Sequence, residues 1–251
     1  MKLPSPRLER RSALLHALAM LPAMQLAPNA LAISATTMTG KTKAELNIVL
    51  VEPVRAQGGT ISAELVLSDG LLASAAFDSK WGLAEGGYYD IEAKTKDGDA
   101  AFVQLKTLGA GERLENLKKS WFTDAILSVD GRYGAYGAPT DVKVISDTPN
   151  PTGRILEIAF TALSPGMAEV QRRAVVSALQ PKGSTDVLML VASSSAARWK
   201  KSNAQVEARQ AADTFRVTAV RKTELKQIAS TDYRFGKTSG PEGMRSRNDG
   251  F

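Results

Sequence analysis

Ser193, Ser194 and Ser195 stand shortly before Lys200, and these are the residue types of a Ser–Lys nucleophile and base pair. Helix capping explains the same serines with less, because a hydroxyl placed just before a helical run accepts from the free N–H groups of the first turn. Asp97 and Asp99 put two carboxylates in the spacing of a calcium loop, yet the further oxygen donors and the closing glutamate of an EF-hand do not follow. Lys96-Asp97-Gly98-Asp99 therefore reads as a tight hairpin turn. Gly131, Gly134 and Gly137 lack the lysine and Ser/Thr that would follow a phosphate loop, so they read as tight backbone turns. There is no cysteine, which excludes disulfides, thiolate metal sites and cysteine nucleophiles. The sole histidine, His16, falls in a leader-like segment, so the body of the chain has no imidazole for a Ser-His-Asp triad or a zinc or iron site. The sequence thus offers no catalytic set, no cofactor and no metal ligands to assign; oxygen donors alone would suit calcium, magnesium or manganese.

Binding is the chemistry that the remaining residues favour. Trp121, Arg132, Tyr133 and Tyr136 group the side chains that concentrate energy at interfaces. Trp121 is assigned to a helix's apolar face, and the glycine-rich residues 130–141 are assigned an exposed docking role through Arg132, Tyr133 and Tyr136. Residues 230–251 carry Tyr233, Phe235, Met244 and Phe251 as sparse anchors among Arg234, Lys237, Arg245 and Arg247. That composition suits a segment that orders on a partner. The interaction residues expected are therefore Arg132, Tyr133, Tyr136, Tyr233, Phe235, Arg245, Arg247 and Phe251. The competing reading is a buried turn and a solvated end. Lys118-Lys119, Arg172-Arg173 and Lys200-Lys201 are short basic pairs, either a solvated face or contacts to acidic loops.

Positioning these residues falls to a chain of 251 residues whose 43% hydrophobic content suffices for a sizeable core. Residues 1–32 read as a targeting leader. Arg10-Arg11 precede a short apolar run broken by Pro22 and Pro28, and Ala30-Leu31-Ala32 ends it as a cleavage site. The arginine pair fits twin-arginine export, with a general secretory signal as the alternative. The run is too short for a confident membrane span. This segment holds half of the formal charge of +6, and a mildly basic body does not argue for nucleic acid. Residues 33–43 form a linker, 44–221 the domain, and 222–251 a polar, flexible tail.

Within the domain, residues 44–54, 61–67 and 71–77 read as strands, the last two joined at Ser68-Asp69-Gly70. Residues 88–95 and 101–106 form the next hairpin. Residues 112–127 switch to helical spacing through Leu114, Leu117, Trp121 and Ala125. Strands follow at 141–146, 154–163, 170–179 and 186–192, with turns at 148–153 and 181–185. The near-continuous apolar run DVLMLVA suits a central strand buried on both faces. A final helix has an alanine stripe ending at Phe215. Hairpins dominate, so the fold class expected is α+β, a central mainly antiparallel sheet flanked by helices, an α-β-α sandwich.

With that order, the chain resembles the PsbP family of thylakoid lumen proteins. The resemblance rests on GGYYDIEAKTKDGDAAFVQLKTL (86–108), ILSVDGRYGAYGAPTDVKV (126–144), RILEIAFTAL (154–163), RRAVVSALQ (172–180) and LMLVASSSAARWKK through ADTFRV (188–217), and it covers residues 84–221. It implies the same sheet-and-helix fold and a non-enzymatic accessory or assembly protein, extrinsic to a photosystem on the lumenal face of the chloroplast thylakoid membrane. Some family members, which include proteins of the oxygen-evolving complex of photosystem II, are linked to calcium or manganese ions involving histidine. A body without histidine takes over no such ligand. A plastid protein needs a transit peptide before its lumenal signal, yet only nine residues precede Arg10, so the leader is compact or the start is trimmed. The rival classes are a small-ligand carrier or enzyme on the same scaffold, and an exported domain outside photosynthesis.

Overall fold

The computed structural model describes residues 46–84 and 91–225. The described chain is built mostly of antiparallel strands, with few and short helices. It departs from a single central sheet by dividing its strands between two.

The smaller sheet runs β1 (Arg55–Gln57), β2 (Thr60–Val66), β3 (Leu71–Asp78) and β11 (Arg216–Lys222), in that spatial order. In the larger sheet β4 (Gly82–Leu83), β5 (Glu92–Lys94) and β6 (Ala100–Thr107) pair in sequence. Then come β10 (Asp186–Ser195), β9 (Glu169–Leu179), β8 (Gly153–Leu163) and β7 (Thr140–Asn150). The DVLMLVA run is β10, flanked by β6 and β9 and buried on both faces as its unbroken apolar sequence predicts. Strand β11 was not expected. Its residues RVTAVRK begin and end in basic side chains, and its register on β3 shifts at a bulge.

Because strand residues alternate faces, β10 supplies two cores. Leu188, Leu190 and Ala192 join Val103, Leu105 and Val175 under the small sheet, whose Leu65, Ala75 and Phe77 close that layer. Trp199 and the alanines Ala208, Ala211 and Ala212 pack into the same cluster. They belong to α2 (Ala196–Lys201) and α3 (Ala204–Thr214). Val187, Met189 and Val191 face the other way, toward Leu156, Ile158 and Phe160 and toward Phe122 and Ile126 of α1 (Lys119–Ile126). The expected helix over 112–127 is shorter than its periodicity. A 3-10 turn at Leu114–Asn116 comes first, Leu117 and Lys118 are extended, and only then does α1 begin. The break has a cause: Arg154 donates to the carbonyls of Leu117 (2.5 Å) and Leu114 (3.4 Å) and lies over the Phe122 ring at 4.7 Å. The Leu117 carbonyl serves the guanidinium, itself paired with Asp147, in place of a helical N–H group, and the Leu114 carbonyl is shared between Arg154 and the Leu117 N–H of the 3-10 turn.

Of the strand expected over 44–54, the described residues 46–54 instead form a connector between the sheets. The Leu46 carbonyl accepts from Leu105 N–H of the large sheet, and the Val49 carbonyl accepts from Val66 N–H of the small one. The linkage is repeated at the β2–β3 turn. Asp186, fully buried at the start of β10, accepts from the Ser68 N–H (2.6 Å), the Ser68 hydroxyl (2.7 Å) and the Thr107 hydroxyl (2.6 Å). Among the described residues no helix is long and apolar enough to cross a membrane.

Candidate functional site

Several residues that sequence singled out, the serines 193–195, Asp97, Asp99 and Tyr133, converge on one end of the large sheet, where β10 runs into α2 and the β5–β6 hairpin turns. The three serines there have three different partners, as the alternation of a strand requires. Ser193 faces the α1 side, where it accepts from the Tyr133 hydroxyl (2.7 Å) and from Arg172 Nη2 (3.1 Å). Ser194 faces the α2 side and donates to Asp99 Oδ1 (2.6 Å). Ser195 caps α2 by accepting from Arg198 N–H. Each hydroxyl is engaged structurally, and Lys200 lies exposed on the helix beyond.

Asp99 is the hub of the α2 side. Arg198 donates to it from Nε (3.0 and 3.2 Å) and Nη2 (2.8 Å), and also reaches Asp97 at 3.3 Å. The hairpin reading of residues 96–99 holds, with Gly98 at φ +88 where a side chain would be strained. Burial of Asp99 by itself raises its pKa, but the hydrogen bonds from Arg198 and Ser194 outweigh that and hold it below its ordinary 3.8. Asp69, clamped by the Thr185 N–H and the Ser184 and Thr185 hydroxyls, is likewise lowered. Both carboxylates bind protons less readily folded than unfolded, so their contribution to stability is complete above about pH 4 and lost as pH falls through the lowered values. Acid titration followed by circular dichroism is expected to show unfolding that begins below about pH 4, and Asp99→Asn is expected to flatten that limb; a wild-type acid limb in the variant would show that Asp99 is not a source of it.

On the α1 side the docking residues take a different place from that expected. Tyr133 is only 7% exposed and packs edge-on against Phe160 (4.7 Å) and near Phe102 (6.0 Å), with Arg172 over its ring at 5.6 Å. It is a core residue, not a surface one. Arg132 is also drawn inward: it pairs with the buried Glu92 at 2.5 Å and lies over Phe102 at 4.8 Å. An arginine on an apolar ring beside a buried carboxylate holds structure, so the exposed placement of Arg132 is corrected as well. Tyr136 is half-buried, and so is Trp121, which meets Phe122 edge-on at 5.1 Å. Tyr233, Phe235, Arg245, Arg247 and Phe251 lie outside the described residues, as do the leader, the linker and all of the tail beyond residue 225.

Of the basic pairs, Arg172 and Arg173 are engaged, Arg172 with Ser193 and the Gly98 carbonyl and Arg173 with Glu157. Lys118 and Lys119 are exposed at the start of α1, and Lys200 and Lys201 on α2. Sequence did not point to Lys96, in the turn that the Arg198 ties to Asp97 and Asp99 hold beside α2, or to Lys94, which strand alternation puts on the face of Glu92. The signal was available only once the hairpin and the helix were known to meet. Among the described residues no group of acidic side chains is arranged to hold a metal ion.

No family model and no curated protein matches the chain. Among solved structures it is similar to the solution structure of cyanobacterial PsbP (CyanoP) from Synechocystis sp. PCC 6803. The match has 14% identity and a TM-score of 0.37, and it covers 66% of this chain and 91% of that one. A superposition at that level carries no argument about role.

Proposed function

We propose that this chain is a non-enzymatic accessory or assembly protein that docks on the lumenal face of a photosynthetic membrane complex, a photosystem in the first instance, in the chloroplast thylakoid lumen. One observation carries the docking part. At the end of the large sheet the groups able to do chemistry are bound to one another, whereas Lys94, Lys96, Lys200 and Lys201 around them are exposed and have no acidic partner among the described residues. Unpaired ammonium groups on one end suit an acidic partner surface, with steering that salt screens. The photosynthetic setting rests on the PsbP resemblance of residues 84–221.

The ligand-carrier alternative has less support. A groove on the outer face of the small sheet is walled by Arg55 with Glu52 and Arg221 with Glu64, charges already matched to each other, over a floor of Ser62 and Ser74. Rebinding of the purified chain to salt-stripped photosynthetic membranes tests the docking reading. Reversing Lys94, Lys96, Lys200 and Lys201 to Glu is expected to weaken association at least about tenfold at low salt, with the thermal transition nearly unchanged. Wild-type rebinding by the reversed variant removes the basic end from the interface. Failure of the wild-type chain to rebind removes the docking reading itself.

A further inference from the structure

The same end of the large sheet carries exposed apolar side chains. The β8–β9 turn, residues 164–168, projects beyond Leu163 and Glu169, the last paired residues. Its most exposed large hydrophobic is Met167, at 62%. Val142 (44%) follows Thr140, which pairs with Thr161 near that turn, and Val129 (58%) lies in the loop that leads there from α1. A Cβ added at Gly137 would meet Leu163 Cδ1 at 3.1 Å, which places this loop against the base of the turn.

Met167 also has an unusual backbone. Its φ is +59, a left-handed conformation that an unbranched apolar side chain adopts at a cost and glycine adopts freely. Gly166, one residue earlier, does not take that conformation. The geometry is held from three directions: Ser164 N–H donates to the Ala168 carbonyl (2.9 Å), Met167 N–H to the Ser164 carbonyl (2.9 Å), and Ala168 N–H to the Ser164 hydroxyl (3.1 Å). The turn therefore keeps a costly residue at its tip and points it at water. The bonds are those of a short hairpin loop closed by a left-handed residue, a position that glycine usually fills, so the exposed side chain there is one that the turn itself does not require. The loop is fixed too, since Gly131 N–H donates to the Ser128 carbonyl and Gly134 packs directly on Val129.

We infer that the β8–β9 turn is the docking tip, with Met167 as its anchor and Val129, in the loop from α1, as a second exposed contact, and that the partner is a protein surface offering an apolar pocket for Met167 and acidic side chains toward Lys200 and Lys201. This rests on the docking reading above and adds the contact that gives it specificity. A protein fits better than a lipid surface because the exposed charges at this end are of both signs, Glu169 and Asp141 next to the turn and Lys200 and Lys201 on α2, a pattern that a uniformly anionic headgroup layer does not match. Met is suited to the role, as its flexible thioether adapts to an irregular pocket.

The test is rebinding of the full chain to salt-stripped photosynthetic membranes, alongside protein-free vesicles made from the extracted lipids of the same membranes. Met167→Gly removes the anchor while relieving the backbone, so its Tm is expected to stay level or rise while its affinity falls at least about tenfold. Val129→Ser, on an exposed site, is expected to weaken rebinding in the same direction with an unchanged Tm. Wild-type rebinding by both variants overturns the tip while leaving the basic end standing. Equal retention on the protein-free vesicles overturns the protein partner. Absence of wild-type rebinding overturns both the tip and the docking reading.

Discussion

Arg132→Ala is expected to destabilise the domain by about 3–5 kcal/mol, the range for removing one partner of a buried ion pair. Glu92, Arg132's partner at 2.5 Å, is itself almost fully buried, its side chain 2% exposed. Without the guanidinium its charge would sit in a low-dielectric setting, facing the space that Arg132 fills over Phe102. The shortened side chain also strips the apolar stem that packs on the ring. For a domain of this size each kcal/mol corresponds to roughly 2–4 °C in Tm, so the loss is large in a thermal melt. A companion variant isolates the cause. Arg132→Met together with Glu92→Leu removes both charges and keeps the volume, and it is expected to recover most of the stability. A loss of less than about 1 kcal/mol in Arg132→Ala would mean that water reaches Glu92 freely and the pair is worth no more than a surface one. The result has a functional consequence: weaker docking by Arg132→Ala would report damaged folding, so only variants at Met167, Val129 or the exposed lysines report on contact.

What could be read from the sequence was whatever depends on neighbours in the chain. The hairpin at Asp97-Gly98 and the strand DVLMLVA, buried on both faces, are written in local composition, and both appear in the structure. The alanine stripe of α3 likewise announced a close-packed helix. Tyr133 was misplaced because nothing local distinguishes a docking tyrosine from a core one; its hydroxyl partner, Ser193, is 60 residues away. Arg132 failed for the same reason, its partner Glu92 belonging to another hairpin. The helix that shrank to α1 did so under a side chain from β8, Arg154, that no periodicity within 112–127 can reveal. The second sheet was hidden because its closing strand, β11, follows the last helix and pairs back to β3. Residues 46–54 have strand-like apolar content because they touch both sheets while pairing fully with neither. The exposure of Met167 had no local signature, since the neighbouring Gly166 is the residue type that takes a positive φ freely and yet Met167 takes it.

Gly134→Ala tests whether the loop beneath that tip is as fixed as its contacts demand. A Cβ at position 134 would lie 2.2 Å from the Val129 carbonyl oxygen and 2.4 Å from that of Ser128. Both obstacles are backbone, so no rotamer change clears them and the loop itself has to move. Its room to move is small, because Tyr133, the adjacent residue, is bonded to Ser193 and Arg132 to Glu92. Overpacking that cannot relax is expected to cost about 3 kcal/mol or more. Gly166→Ala is the control: the nearest atom to its added Cβ is the Ser164 hydroxyl at 4.0 Å, so its stability is expected to stay within about 0.5 kcal/mol of wild type. Urea titration of the two variants separates the cases. If Gly134→Ala unfolds at the wild-type midpoint, the loop yields more easily than its anchors imply, and Val129 is not held rigidly. A large loss confined to Gly134 shows instead that the backbone under Val129 is locked from below, as a surface that binds without rearranging requires.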